Sequence, residues 1–379
     1  MIEMAGRPTR TTRDRPPPAP SRGAVRDFTG GSRYVVEWDV RPVYDFVFSL
    51  SEDAGSTDDL PAADRTWLID ARASLPRDVR AAIQRLFETE AATQIATFAI
   101  ERPELRTPAA FVTAIGAATP AEVLGSVFAE VGRDPELAEL IAAVVAGDST
   151  RLPEIEARLP EWQRQERMAM LVDPAGTHAQ IVGAMTAWLA LFEPIADRVA
   201  AMLERDFALR SVDRASLTPA DLIERTTSGL RWLGEPGVRR LILAPSYFSR
   251  PYNFLLAGSD WRFFGYPIAD EALDALDPLA APPGLVRLHR ALGDTTRLRI
   301  LKLLAGRDFY LTELAQQLGL SKPTIKHHLV LLRSAGLVTV TESGAVMNYT
   351  LRRQRLADAS SELEAFLVSD SDDPAPDAR

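Results

Sequence analysis

The chain has 379 residues, 46% of them hydrophobic, and a net charge of -9, enough for about two or three domains with buried cores. It contains no cysteine, which excludes disulfides, thiolate metal sites and cysteine nucleophiles. The longest apolar run, 181–192 (IVGAMTAWLALF), stops at Glu193, short of the roughly 20 residues that span a bilayer. The Arg-bearing N-terminus lacks the apolar stretch of a signal peptide, so a cytoplasmic protein without membrane contact is expected.

Charge is unevenly distributed. Residues 1–33 carry +4, residues 284–353 carry +7 (eleven basic against four acidic), residues 354–379 carry -5, and the remainder, 34–283, carries -15. An acidic body therefore bears one basic module, which also holds all three lysines, Lys302, Lys322 and Lys326. Such a patch is the electrostatic footprint of a nucleic-acid binder.

In chain order, residues 1–33 read as a disordered basic tail, because Pro16, Pro17, Pro18 and Pro20, scattered Arg and the pair Gly30 and Gly31 offer no periodic apolar face. It reads either as an arm on DNA phosphate or as a solvated tail. Residues 34–38 read as a strand, followed by helical segments to about Trp232. Three of these open with Thr-Pro, at Thr107, Thr119 and Thr218, where Thr caps the first turn and Pro tolerates the first helical position. Residues 238–243, 252–256 and 261–266 read as three more strands joined by turns. The expected fold class is α+β: a mostly helical N-terminal domain (34–276) with a small antiparallel sheet, then a linker (277–283) and a second, basic domain.

The acidic domain holds all six tryptophans. They either fill its core or line an apolar ligand pocket. His178 is its one histidine, so neither a His-based triad nor a His metal cluster assembles from it. With no phosphate-binding glycine loop or singled-out carboxylate pair, an enzyme is not expected, and no cofactor or metal is implied.

In the basic domain, 284–353, Leu285, Leu288 and Leu292 mark one side of a first helix. Asp294 caps a second over 295–304, with Leu298, Ile300, Leu301, Leu303 and Leu304 facing inward or toward partner elements. Residues 311–318 form a third, ended by Gly319, and Ser321 caps a fourth: a helix-turn-helix. On the fourth helix, Ile325, Leu329 and Leu332 define the packing face. His328 leans toward that face, while Lys322, Thr324, Lys326 and His327 point away from it or flank it. Neighbours on a helix diverge by about 100°, so the His pair is poorly placed to hold one metal. Residues 337–341 and 346–351 then alternate around a turn, as a hairpin, or wing, would. Residues 354–379 read as a C-terminal helix and acidic tail.

The segments LGDTTRLRILKLL (292–304) and LTELAQQLGLSKPTIKHHLVLLRSAGLV (311–338) resemble the ArsR-type winged-helix transcriptional regulators. The resemblance implies a homodimer whose paired recognition helices enter successive major grooves of a palindromic double-stranded DNA operator. It implies DNA contacts at Ser321, Lys322, Thr324, Lys326 and His327. Glu342 sits at the wing tip where a basic residue would help; Arg352 and Arg353 either compensate or cap the module's surface. Where many members sense metals, this chain reads FYLT (309–312) and LADASSELEAF (356–366), without cysteine or histidine, so a non-metal effector is implied. The N-terminal part resembles the uncharacterised helical domains found before such winged helices in high-GC bacteria. The combined expectation is a transcriptional repressor with an effector-sensing N-terminal domain. The alternatives are a domain that assembles or recruits a partner without a small molecule, or a fused enzyme.

Overall fold

The computed structural model describes residues 34–51, 54, 59–87, 92–129, 134–274, 281–343 and 346–368. The expected basic tail, the acidic terminal residues 369–379 and residues 277–280 of the expected linker lie outside the described residues. The described residues all belong to one compact unit.

Strand β1 (Val35–Trp38) leads into α1 (Pro42–Phe48) and a helical series: α2 (Ala62–Ser74), α3 (Arg77–Phe87), α4 (Ala96–Ile100), α5 (Pro108–Ala117), α6 (Pro120–Val127), α7 (Pro135–Val145), α8 (Leu152–Arg158), α9 (Glu161–Val172), α10 (Pro174–Leu209), α11 (Ser211–Ser216) and α12 (Pro219–Thr226). All three Thr-Pro starts cap helices: Thr107 accepts from Ala110 N, Thr119 forms a reciprocal box with Glu122, and Thr218 accepts from Asp221 N. Among the described residues one helix, α10, is long and apolar enough to cross a membrane by length and composition. It continues past the apolar run because Glu193 and Asp197 fall on its exposed side, while Ile181, Met185, Trp188, Phe192 and Val199 enter the first hydrophobic core.

After α12 come β2 (Leu230–Trp232), β3 (Arg240–Ser246), β4 (Phe254–Ala257) and β5 (Trp261–Pro267). The strand near residue 35 joins three of these in one sheet of order β1-β3-β5-β4. That sheet is mixed, not antiparallel: β1 with β3 and β3 with β5 are parallel, and only β4 with β5 is antiparallel. The reason is connectivity. The whole helical series crosses over between β1 and β3, and β5 inserts between β3 and β4, so only β4 and β5 pair across a short turn. Strand β3 is apolar on both sides, as a strand covered on both faces must be. Its Ile242 and Ala244 face the helical core, and its Leu241 and Leu243 face a second core.

The second core explains the C-terminal elements, α13 (Pro283–Leu292), α14 (Thr295–Leu304), β6 (Phe309–Tyr310), α15 (Leu311–Leu318), α16 (Lys322–Ser334), β7 (Val338–Ser343), β8 (Val346–Leu351) and α17 (Arg353–Val368). It joins Leu288, Ile300, Leu314, Ile325, Leu329 and Val338 to Ile223, Trp232, Leu241 and Phe264. Leu298 enters neither core, at 49% exposed. Of the tryptophans, Trp188, Trp232 and Trp261 are buried in the two cores.

Residues 230–232, expected to continue the helical run, are instead a strand, β2, that pairs parallel with β7 in a sheet of order β2-β7-β8-β6. The turn before it allows this: Ser228 and Gly229 have φ of 57° and 105°, a region that breaks a helix. Val340 N then donates to Gly229 O at 2.8 Å. A Cβ on Gly229 would meet Thr339 Cγ2 and Val338 O at 3.2 Å, whereas one on Gly234, φ 80°, would meet nothing.

Another tie, within the body, joins α1 to the end of β3. Asp45, fully buried, accepts from Ser246 Oγ at 2.8 Å and Phe248 N at 2.7 Å, and its Oδ2 has no hydrogen-bond partner among the described residues. Burial raises its carboxyl to about 7, against those hydrogen bonds.

Two outcomes follow. In urea unfolding, Gly234→Ala costs about 1 kcal/mol of left-handed strain, and Gly229→Ala costs more, roughly 2–3 kcal/mol, because strain and steric contact add. For Asp45, the folded chain holds a proton between about pH 4 and 7 that the unfolded chain releases, so this group's share of stability falls as pH rises through that window. Asp45→Asn removes that fall, so the variant gains on the parent chain as pH rises from about 4 to 7; a pH series of melts on both chains reads it.

Candidate nucleic-acid interface

The helix-turn-helix is built by caps. Asp294 accepts from Arg297 N at 2.8 Å and starts α14. Tyr310 N donates to Glu313 Oε2 at 2.9 Å at the start of α15, and Gly319 ends it in the left-handed region, φ 66°. Ser321 then accepts from Thr324 N at 3.2 Å, and Pro323 sits in the first turn of α16. Ile325, Leu329 and Leu332 are buried to 1% exposure or less, which fixes the rotation of α16.

That rotation leaves Ser321, Lys322, Thr324, Lys326 and His327 exposed. Ser321 and Thr324 share a hydroxyl contact of 2.7 Å as part of the cap, so their oxygens are held at the helix start, beside Lys322. Arg352 and Arg353 lie beyond the wing and are not part of this group. Arg352 and Arg353 are both exposed, and Arg353 donates to Ala305 O at the end of α14.

The two histidines separate. His327 is exposed; His328 is part-buried, with Nδ1 3.8 Å from Asp294 Oδ1 and the ring centroids 6.0 Å apart. Burial lowers the His328 imidazole, partly opposed by the Asp294 carboxylate.

A feature not anticipated is what faces α16. Its stripe Pro323, Lys326, Val330 and Arg333 forms one wall of a cleft of about 530 Å³ whose other wall is the body, from Gln163 and Arg167 to Tyr252–Leu256. A second cleft, about 260 Å³, lies on the other flank of His327, toward Asp59 and Arg287. At the floor of the larger cleft, Arg333 NH1 donates to Thr227 O at 2.9 Å, and Asn253 Nδ2 donates to the same oxygen at 2.9 Å. Burial lowers the Arg333 guanidinium to about 10, and among the described residues no carboxylate forms an ion pair with it. The available signal was the spacing of Lys326, Val330 and Arg333, a second stripe on the same helix.

The histidine geometry predicts that an NMR titration gives His328 a midpoint below 6.5. Asp294→Asn, which keeps the cap but removes the charge, lowers it further. An unchanged midpoint in Asp294→Asn contradicts the assigned pairing.

The description "Bacterial regulatory protein, arsR family" matches residues 294–340. The chain is 43% identical over 91 residues to the HTH-type transcriptional regulator CmtR of Mycobacterium tuberculosis, covering 24% of this chain and 77% of that protein. It is 32% identical over 86 residues to the transcriptional repressor SdpR of Bacillus subtilis, 23% of this chain and 96% of that protein. A probable mercury resistance operon repressor of Streptomyces lividans is 31% identical over 81 residues, 21% and 65% of the two chains. With a capped helix-turn-helix at the matched residues, a wing hairpin running on from them and relatives that are transcriptional regulators, the chain belongs, through this C-terminal part, to the arsR family of DNA-binding bacterial regulatory proteins.

Proposed function

We propose that the protein is a transcriptional repressor that binds a palindromic double-stranded operator as a homodimer and is released by a non-metal effector held by its N-terminal domain (34–276). The observation that carries the DNA reading is the exposed, capped start of α16. Lys322 and the helix N-terminus supply phosphate attraction, while Thr324, Lys326 and His327 are presented for base edges. The basic domain carries +7 against -15 in the body, which directs a polyanion to this surface. Arg352 and Arg353, exposed just after the wing, are further phosphate contacts, and Arg353 also bonds Ala305 O. With DNA as partner, the place of action is the cytoplasm.

The dimer reading rests on α17, none of whose residues is buried and on which Leu356, Leu363 and Leu367 are 37%, 36% and 66% exposed. They recur at seven- and four-residue spacing along one side of the helix. A second copy of this helix is the occupant that fits a self-complementary interface. A domain that only assembles or recruits a partner would need no internal cleft, and the cleft beside α16 favours the effector reading.

Selection of bound duplexes from a genomic pool supplies the operator, and anisotropy titrations over a salt series then test the assigned residues. Lys322→Ala and Lys326→Ala each weaken binding; where the lysine meets a phosphate, its removal also shallows the salt slope by about 1. Wild-type affinity in both variants contradicts the assigned surface. Leu363→Glu shifts the protein to monomer in sedimentation and weakens operator binding with it.

A further inference from the structure

The cleft between α16 and the body has a composition unlike the rest of the body. Arg167, Lys326 and Arg333 line it, and among the described residues no Asp or Glu does, although the surrounding domain is strongly acidic. Arg333 is the informative one. It is part-buried, spends one N–H on Thr227 O, and its other donors have no carboxylate among the described residues. A desolvated cation without an anion is costly, and an Arg fork matches a carboxylate in two parallel hydrogen bonds. The rest of the lining sets the apolar Leu230, Phe254, Leu256, Val330 and Met347 beside polar Thr93, Gln94 and Gln163. Asn253, on the same wall, has Oδ1 buried without a hydrogen-bond partner among the described residues, an acceptor for a ligand hydroxyl or N–H. A volume of about 530 Å³ suits a metabolite.

We propose that this cleft is the effector site and that it takes a small organic carboxylate with an apolar body, the carboxylate on Arg333 and the apolar part against Phe254, Leu256 and Val330. The regulatory consequence rests on the DNA reading above; the binding site does not. Lys326 and His327 border both this cleft and the DNA surface, so an anion seated here draws Lys326 from phosphate and the ligand releases DNA.

Anilinonaphthalene sulfonate, an apolar anion that fluoresces when desolvated, is the probe, used on the full-length protein. The expected result is saturable binding reversed by benzoate, salicylate or octanoate, and not by the matching amides. Arg333→Gln, folded by circular dichroism, raises the carboxylate concentration needed by roughly ten-fold or more. If Arg333→Gln does not fold, Val330→Trp fills the cleft instead and abolishes dye binding. Acid and amide competing equally, no saturable binding, or wild-type behaviour of the folded variant used would overturn the proposal. The same carboxylates added to the protein–DNA complex separate the two readings: a chain that never binds DNA strikes the regulator reading and leaves the dye result standing, while a failed acid–amide distinction strikes the site and leaves DNA binding standing.

Discussion

Two neighbouring carbonyls of the body, Thr227 O and Gly229 O, hold the winged helix in place. Thr227 O takes Arg333 of α16 and Asn253 of the turn before β4; Gly229 O takes Val340 N of the wing strand. The left-handed turn at Ser228 and Gly229 aims both. It stops α12 and lets β2 cover what would be the open edge of the wing sheet. The recognition helix and wing are thus tied to the body at adjacent points, and the cleft beside α16 exists because of that arrangement.

A second tie is electrostatic. Arg287 of α13 pairs with Asp59 and, at 3.3 Å, with Asp270, which also pairs with Arg250. Burial pushes the Asp270 carboxyl up, but Arg250 and Arg287 outweigh it and hold it below its usual range. Gly284 approaches so closely that a Cβ there would lie 2.9 Å from Asp270 Oδ2. Buried pairs of this kind fix geometry more than they add stability. Here they fix where α13 leaves the body. One face of the body sheet packs on helices and the other on the winged helix, so the basic part is seated on the acidic part over an apolar core.

Much of this was legible in the sequence, because local chemistry decides it. The Thr-Pro starts, Asp294, Ser321 and Gly319 announce helix ends by mechanisms confined to a few residues, and the Ile325, Leu329, Leu332 stripe sets which side of α16 is free. The parts that were not legible depend on distant partners. Nothing within 230–232 marks a strand, since its ladder partners are Val340, Thr341 and Glu342. Strand direction in the first sheet follows from a long crossover, which alternation does not encode. Arg333 reads as an ordinary surface cation at the end of a helix until the body is placed against it. The candidate DNA-binding residues on α16 follow from helical rotation, whereas the cleft they border required the fold.

Amide hydrogen exchange at Val340 tests the joining of body and wing most directly. If β2 caps the wing sheet, the Val340 amide in the full-length protein exchanges as slowly as the amides bonded within the β7–β8 hairpin. Exchange at the rate of an open edge, with the hairpin amides still protected, would contradict that joining.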